Sequence, residues 1–497
     1  MFSFWKTREW NRPIFLKLIL ILTLLWVSSA IPAFGQNQDS KDKITVFSGG
    51  KMDMDFSFSS SVLYGIGSTG NTFGGGIGTL SPGSAHASLN PAGLAFLRQA
   101  EGSVDCAPRL KPSLSMVSRF FDVQKRINEG VDSALTDLRT PETEVSYPEV
   151  GAAFGQEGGV YSGSVAFPLY GFGFGAALSE PFSLKMKFIE TGMEVQFETE
   201  KTIGDETKPI GFKAMIDLNV LADVSVNVTS VSIGRSLLDN IGLGAGLSRY
   251  DGYAFFDGKA RVDGLMSYSG QEFIFNNPND DWHNDLNQSA WASFKGKAWG
   301  KKLGASYRMG NRLSLDALYE DLPDILLTGS MNVVENKVPA LNTEGGDDIL
   351  DPTKLDIAKL TLTEFIENRT SDSLSIHLPS SFKIGSSIRL GFITTTVTYA
   401  TYTGQFGYSF LGQTRGVEPK RSVGLGLDFS LLKLGAVVTW ADEVRQGTDD
   451  DAGRKTNLLL PSASIGFGMP LRKGLRVDST VLAVPAPLGR VSFSMSF

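Results

Sequence analysis

The sequence predicts an all-β protein, and more narrowly an antiparallel β-barrel that spans a membrane. Three observations lead to this prediction. Apolar residues alternate with small or polar ones along most of the chain, a secretory signal opens it, and its last strand is apolar and ends on the final residue. A mean hydropathy of -0.02 excludes a bundle of membrane-spanning helices, which needs several long apolar runs.

Alternation with a period of two recurs from one end of the chain to the other. Residues 423–429 (VGLGLDF) place Val, Leu, Leu and Phe on one face and Gly, Gly and Asp on the other, and residues 241–247 (IGLGAGL) repeat the pattern. Residues 303–308 and 463–469 alternate in the same way. Because successive side chains of a strand point to opposite faces, each segment has one apolar side. No comparable helical periodicity follows residue 35, so the predicted class is all-β.

Residues 1–35 read as a secretory signal peptide rather than as part of the fold. Basic residues precede a short apolar run at 18–27, and Ala33 and Gly35 place small residues where a signal peptidase cleaves. We therefore expect cleavage after Gly35 and a mature chain outside the cytoplasm. The alternative is an uncleaved membrane anchor, which is disfavoured because the apolar run is short for a span.

Alternation alone does not distinguish a soluble barrel, with apolar faces inside, from an outer-membrane barrel, with apolar faces against lipid. Residues 491–497 (VSFSMSF) favour the second, because an exposed apolar strand at a chain end would fray and aggregate in water. A terminal phenylalanine, here Phe497, is typical of chains delivered to the outer-membrane assembly machinery. Residues 102–497 have room for roughly 14 strands. We expect the bacterial outer membrane as the location, with its lipid and that machinery as partners.

Composition excludes several classes of function. The net charge of -7 has the wrong sign for a protein that binds nucleic acid. Cys106 is the only cysteine, which excludes a disulfide framework and a cysteine-built zinc site. His86, His283 and His377 lie far apart, so we expect no metal, no cofactor and no catalytic residues. An outer-membrane hydrolase is the least favoured alternative; it would require lipid hydrolysis that is lost when His283 or His377 is replaced.

A motif near the N-terminus connects the chain with a known family. Residues 73–97 (FGGGIGTLSPGSAHASLNPAGLAFL) run from a glycine-rich approach into Asn-Pro-Ala-Gly. This segment resembles the N-terminal signature of the FadL family of outer-membrane transporters for long-chain fatty acids and other hydrophobic compounds. Residues 299–316 and 378–385 resemble strands of the same family.

The resemblance implies a 14-stranded barrel, residues 102–497, whose lumen is plugged by an N-terminal hatch segment, residues 36–101. The plug element that moves to open a path would be the motif itself: Asn90, Pro91, Ala92 and Gly93. Asparagine can hydrogen-bond nearby backbone, proline fixes φ, and the small residues allow close approach to the wall. The alternative is a rigid turn that leads into the first strand.

Two points are left open by the resemblance. The segment before the motif is longer than is usual in the family, and residues 56–72 have no assigned role. Family members release ligand sideways through a gap at a kinked strand, and Gly171, Gly173 and Gly175 would permit such a kink. A plain strand with small residues facing the lumen is the favoured alternative.

The function implied by the resemblance is passive uptake of long-chain fatty acids or other hydrophobic small molecules through the plugged barrel. A dry apolar site would lower the barrier for such ligands. A carboxylate ligand would need inward cations, and Arg308, Arg389 and Arg476 have the required parity, with salt bridges inside the lumen as the alternative. The competing interpretation is a non-transporting barrel that acts as a docking or shuttle platform for secreted proteins. A missing apolar site in the lumen and a stable protein partner would favour it.

Overall fold

The computed structural model describes residues 43–60, 76–81, 83–110, 123–135, 144–203, 206–268, 271–275, 286–337, 363–369, 373–410, 413–446, 457–472, 474–484 and 488–497. The predicted signal peptide and His283 lie outside these ranges. Within them, no helix is both long enough and apolar enough to cross a membrane.

Strands make up most of the described chain, as the alternation predicts. One α-helix, α1 (Val123–Leu135), and two 3₁₀ turns, η1 (Ser84–Ala87) and η2 (Pro91–Phe96), accompany them. In chain order the strands are β1 (Lys43–Ser48), β2 (Lys51–Ser60), β3 (Glu101–Ala107), β4 (Glu144–Ser146), β5 (Glu149–Gly155), β6 (Gly159–Leu169), β7 (Phe172–Ile203), β8 (Glu206–Leu238), β9 (Ile241–Tyr268), β10 (Gln271–Phe275), β11 (Leu286–Met309), β12 (Leu313–Asp321), β13 (Ile325–Lys337), β14 (Thr363–Arg369), β15 (Ser373–His377), β16 (Ser380–Leu390), β17 (Ile393–Thr403), β18 (Phe406–Phe410), β19 (Gln413–Asp428), β20 (Leu432–Gln446), β21 (Asn457–Arg472), β22 (Leu475–Val484) and β23 (Leu488–Ser496).

The strands form one closed wall with 14 strand positions, which is antiparallel except where β1 and β2 pair parallel with β4 and β5. The wall closes where β23 pairs with β3, from Ser496 opposite Glu101 to Val491 opposite Cys106. Some positions consist of two strands placed end to end. For example, β12 and β13 both pair with β11 on one side. On the other side, β12 pairs with β16 and β13 pairs with β15. The prediction of an antiparallel transmembrane barrel of about 14 strands is confirmed.

Apolar side chains face outwards on this wall and small polar ones face inwards. On β17, Thr394, Thr396 and Thr398 are buried, whereas the alternating Val397 and Tyr399 are exposed. The same inversion holds for exposed apolar residues around the wall, among them Val165, Leu178, Val231, Leu247, Leu303, Ile384, Leu425, Ile465, Phe467 and Phe493. An apolar outer surface on a closed β-barrel requires lipid around it, which makes this a barrel of the bacterial outer membrane.

The strands extend much farther beyond the membrane at one end of the barrel than at the other. β3 begins and β23 ends at the end of the barrel that also carries tight turns such as Tyr170–Gly171 and Asp239–Asn240, which makes this the periplasmic end. At the other end β7, β8 and β9 contain 32, 33 and 28 residues. A tilted strand of about 9–11 residues already spans the membrane. These three strands therefore continue as a wall extension outside the cell.

The predicted hatch range, residues 36–101, divides into two parts in the structure. Residues 76–81 and 83–100 lie inside the barrel and are called the hatch below. By contrast, β1 and β2 belong to the wall, where they pair antiparallel with β7 and parallel with β4 and β5. β3 begins at Glu101, next to the predicted start of the barrel.

Candidate functional site in the barrel lumen

Asn90 organises the hatch around η2. Its side-chain oxygen accepts a hydrogen bond from the Ala92 N–H at 3.2 Å, and its Nδ2 donates to the Ile77 carbonyl at 3.1 Å. Asn90 is therefore the N-cap of η2, Pro91 fills the first position of the turn, and neither Asn90 nor Ala92 is exposed to solvent. The motif folds as a compact turn that holds two parts of the hatch together.

Glycines on the inner face of four adjacent strands form the seat of the hatch. A Cβ atom at Gly173 would lie 2.0 Å from the Leu94 carbonyl oxygen, and one at Gly244 would lie 2.2 Å from the Pro91 carbonyl carbon. Real Cβ atoms essentially never come that close, so only glycine allows this approach. The glycines of the seat are Gly173 and Gly175 on β7, Gly234 on β8, Gly242 and Gly244 on β9 and Gly304 on β11.

Gly173 and Gly175 thus act as small residues facing the lumen. Neither is a point where the register of β7 shifts. The shifts against β8 lie farther along, between Ser179 and Phe182 and between Glu190 and Met193. The strand therefore bends beyond the hatch seat, on its extracellular side.

Polar contacts add to the seat at the periplasmic end. Thr79 Oγ1 donates to Asp316 at 2.8 Å, and Ser306 Oγ lies 2.6 Å from the same hydroxyl. Arg308 Nε donates to Thr79 Oγ1 at 3.2 Å, and the Arg308 guanidinium lies 3.8 Å from the centre of the Phe96 ring. Arg308, a predicted ligand contact, is therefore placed against the hatch.

His86 is buried in the 3₁₀ turn η1, outside the membrane-spanning strands. Because a carbonyl can only accept, its Nε2 donates to the Ser81 carbonyl at 3.2 Å, while its Nδ1 has no hydrogen-bond partner among the described residues. Burial lowers the pKa of His86 from 6.5 to about 4. The ring is neutral at pH 7, and the seated hatch carries no charge at this position.

A chamber of about 210 Å³ lies between the hatch and the extracellular half of the barrel. Its floor includes Ile77 and Leu89 of the hatch, and its roof includes Tyr250, Leu322 and Leu378. It is mixed in character, since serine, threonine and charged side chains line the wall between floor and roof.

Two ammonium groups and one carboxylate meet in this chamber. Lys302 Nζ lies 2.8 Å from Glu320 Oε1, and Lys383 Nζ lies 3.2 Å from Glu320 Oε2. Lys302 Nζ also donates to the Ser88 carbonyl of the hatch at 2.5 Å. The cluster carries one excess positive charge in a place largely withdrawn from solvent, where charged interactions are strong. An anionic group entering the chamber would complete the pairing.

The three arginines proposed from sequence do not line this chamber. Arg476 pairs with Asp478 at 2.8 Å, and Asp478 also binds Lys433. Arg389 lies next to the periplasmic turn after β16, where its N–H donates to the Arg312 carbonyl. Their roles toward a ligand stay predictions. The cations that line the chamber are Lys302, Lys383 and Arg490, with the carboxylates of Glu320 and Asp105 beside them. The sequence analysis missed all three cations, although Lys302 has lumen parity beside Leu303.

An apolar cluster fills the lumen above the chamber. Ile325 and Leu327 are fully buried in it, together with Val226, Val228, Tyr250, Ala254, Ala292, Phe294, Ile376 and Leu378. Phe182 and Phe406 touch across the lumen, with ring centres 5.4 Å apart. They stand on the third and ninth of the 14 wall positions, so opposite walls meet here. We call this cluster the apolar gate.

The wall is interrupted beside the apolar gate. The gaps between β12 and β13, β15 and β16, and β17 and β18 contain Pro323, Pro379 and Gly404, and they lie on neighbouring strands. Proline cannot donate to a ladder, and Gly404 adopts φ +91. Above the interruptions the chain continues as β13, β15 and β18. These strands place Ile325, Ile376 and Phe406 in the lumen.

A hydrogen-bonded chain of serine, histidine and aspartate ties the interrupted strands together. His377 Nε2 lies 2.7 Å from Ser409 Oγ, and His377 Nδ1 lies 3.0 Å from Asp324 Oδ1. This is the order of groups in a hydrolase triad, but the aspartate of such a triad is buried, whereas Asp324 is 68% exposed. The arrangement fits a clamp across the interruptions. No group of three or more potential metal ligands lies together in the described part of the chain.

The class that fold and lumen define is an outer-membrane β-barrel, whose lumen contains residues 76–81 and 83–100 and, above them, an apolar cluster. Among solved structures the chain is similar to a FadL homologue from Pseudomonas aeruginosa, with 14% identity, a TM-score of 0.41 and coverage of 88% of this chain and 97% of that one. It is also similar to the toluene transporter TodX from P. putida, with 14% identity, a TM-score of 0.39 and coverage of 88% and 99%. For the toluene transporter TbuX from Ralstonia pickettii the identity is 10%, the TM-score 0.37 and the coverage 88% and 99%.

No protein-family model matches the sequence, and a comparison with curated proteins finds no match. At these identities and TM-scores the barrel architecture rests on the strand pairings of the chain itself.

Proposed function

We propose that the barrel takes up hydrophobic small molecules that carry a carboxylate, long-chain fatty acids first among them, by passive passage through its plugged lumen. One observation carries the proposal. A packed apolar gate lies directly above a chamber in which two lysines share one glutamate, and in which Arg490 and Asp105 add one further charge of each sign. Interiors of outer-membrane barrels are ordinarily polar, so an apolar lumen favours an apolar cargo.

The charge balance of the chamber favours an anionic end group on that cargo. Glu320 neutralises one of the two lysines, and a ligand carboxylate would neutralise the other. A hydrogen bond to a charged group contributes about 1.5–3 kcal/mol. An alkyl chain attached to that carboxylate would extend upwards past Leu378 and Tyr250 into the gate.

The structure corresponds to a resting state. A chamber of about 210 Å³ is smaller than the roughly 300–1,000 Å³ of ordinary ligand sites. A long alkyl chain therefore needs the gate to part, and passage to the periplasm needs the hatch to move. Ligand binding drives both changes only if the open state makes better contacts with the ligand than the closed state does.

Replacing Lys383 tests the proposal, because Lys383 contacts Glu320 while Lys302 also holds the hatch. In a Lys383→Met variant the cluster becomes neutral, and we expect oleate affinity to fall at least about tenfold while oleyl alcohol, which has the same tail without charge, is bound as before. Binding and uptake are measured in proteoliposomes. The control is Lys301→Met, because Lys301 precedes Lys302 on β11 but is 72% exposed and does not line the chamber.

Equal loss of oleate and oleyl alcohol would contradict the role of the charge. Loss of neither, with no uptake of any hydrophobic ligand by the native barrel, would overturn the proposal. A copurifying secreted protein would then favour the docking platform. Arg308→Met, Arg389→Met and Arg476→Met, compared in the same assay, decide whether those arginines contribute; we expect smaller effects because none lines the chamber.

A further inference from the structure

The N-terminal strand β2 occupies a slot in the barrel wall. Its ten residues pair antiparallel with β7, and its first seven pair parallel with β5. The direct pairing of β6 with β7 ends at Ser162 and Ser179. Beyond that level, in the described part of the chain, β5 and β7 are connected only through the N-terminal strands.

The slot is wide enough to admit a hydrophobic molecule. Neighbouring strands lie about 4.8 Å apart, so two strands separated by a missing third are about 10 Å apart. Behind β2 the interior is mainly apolar: Met54 of β2 lies opposite Phe188, and both are buried together with Met186, while Met52 lies opposite the buried side chain of Glu190. Methionine adapts to varied apolar neighbours because its side chain is unbranched and flexible. Without β2 this interior would open to the side.

The slot lies above the lipid core, on the extracellular side. On the outer face of the wall, Lys185 of β7 lies 3.4 Å from Glu157 and 3.7 Å from Asp223. Charged residues of this kind are costly at lipid depth. Leu178, a short way below, is 61% exposed and apolar. The pairing of β2 with β7 begins above Leu178, at Phe182, and so faces the headgroup side of the outer leaflet.

Two features make β2 easier to displace than its neighbours. Its contact with β5 is parallel, which is slightly less stable per residue than antiparallel pairing. It belongs to no hairpin with β5 or β7, so its release breaks no turn between wall strands.

We propose that β2 is a displaceable strand of the wall, and that its release opens a side entrance from the headgroup region of the outer leaflet into the interior of the barrel. The inference rests on the proposed function, since the entrance serves the hydrophobic ligand. It also gives residues 51–60 of the unusually long N-terminal segment a role.

The displacement is tested without any ligand. In the full-length barrel in detergent, hydrogen exchange at the amides of β2 is compared with exchange where β8 pairs with β9 at the same height, around Asn219 opposite Lys259. We expect β2 to exchange faster. Equal exchange in the two places would show a permanent wall strand and would overturn the proposal.

A reversible lock then connects displacement with uptake. In a background with Cys106→Ser, the pair Lys51→Cys and Thr191→Cys joins β2 to β7 through exposed, directly opposite positions. The control pair, Asn219→Cys and Lys259→Cys, joins β8 to β9 at the same height. In proteoliposomes we expect oxidation of the first pair to reduce oleate uptake to the level of vesicles without the barrel, reduction to restore it, and oxidation of the control pair to change nothing.

The outcomes separate this proposal from the proposed function. Full oleate uptake with the first pair oxidised would overturn the side entrance while the channel function stands. If the native barrel takes up no oleate, the proposed function fails, and the exchange experiment still decides whether β2 is displaceable.

Discussion

The two halves of the lumen are closed by opposite means. In the periplasmic half a separate segment, the hatch, is seated against glycines and bound through polar contacts such as Thr79 with Asp316. In the extracellular half the wall closes on itself, as Phe182 and Phe406 meet across the lumen. A seat made for backbone contact fits one partner closely. The contacts of the apolar gate are non-directional, so its side chains can separate without leaving a polar group unpaired.

This difference suggests which part of the lumen selects the ligand and which part controls its release to the periplasm. A ligand arriving from outside meets the apolar gate first. Apolar side chains can separate around apolar ligands of many different shapes. The hatch is reached last, and it leaves its seat as a unit or stays. Substitutions in the seat should therefore strongly reduce the fraction of barrels with a seated hatch. Substitutions in the gate should have a smaller effect, and that effect should be on the rate of ligand uptake.

The largest effect is expected from Gly173→Ala. The added Cβ would lie 2.0 Å from the Leu94 carbonyl oxygen, and neither atom is the end of a flexible side chain. Overpacking costs about 1–3 kcal/mol, which corresponds to roughly a 5- to 150-fold loss of hatch seating. We expect the barrel to remain folded and to leak small solutes, as measured by conductance of single barrels in planar bilayers.

The control for this variant is Gly163→Ala on β6, where the nearest contact of a new Cβ is 3.8 Å away. It should conduct like the native barrel. A Gly173→Ala barrel that stays closed would show that the hatch or the wall can shift to accommodate the added Cβ, and would contradict the prediction. Gly244→Ala, with its 2.2 Å contact to Pro91, provides an independent repeat on another strand.

The sequence predicted the wall much better than the lumen. Alternation reports the two faces of each strand locally, so the barrel follows from it, and the motif around Asn90 marks the hatch. The seat could not be read, because Gly244 and Pro91 are distant in sequence and meet only after the barrel closes. Lys302 and Lys383 share Glu320 through the register of three strands, which no local pattern reports. Residues 51–58 (KMDMDFSF) do alternate, and this available signal for β2 was missed.

A smaller effect is expected from Phe406→Ala in the apolar gate. The contact of Phe406 with Phe182 is one aromatic pair within a larger cluster, and such a pair contributes about 0.5–1.5 kcal/mol beyond its burial. We expect faster oleyl alcohol uptake, by roughly 2- to 10-fold, with the hatch still seated. Phe467→Ala is the matched control, because Phe467 is 58% exposed on the outer face. Unchanged uptake in Phe406→Ala would mean that the gate is not the barrier to entry.

The smallest effect concerns acid conditions and His86. Because burial lowers the pKa of this group in the seated hatch to about 4, its neutral form is the one that fits, and protonation must work against burial and against the nearby Arg308. The stability that His86 contributes is present above pH 6.5 and is lost as the pH falls from 6.5 toward 4. Between pH 7 and pH 6 the expected weakening of hatch seating is about threefold. Conductance measured over this range in the native barrel and in His86→Gln, which stays neutral, checks the prediction, since carboxylates elsewhere titrate equally in both. An identical pH response in the two barrels would assign the acid sensitivity to other groups.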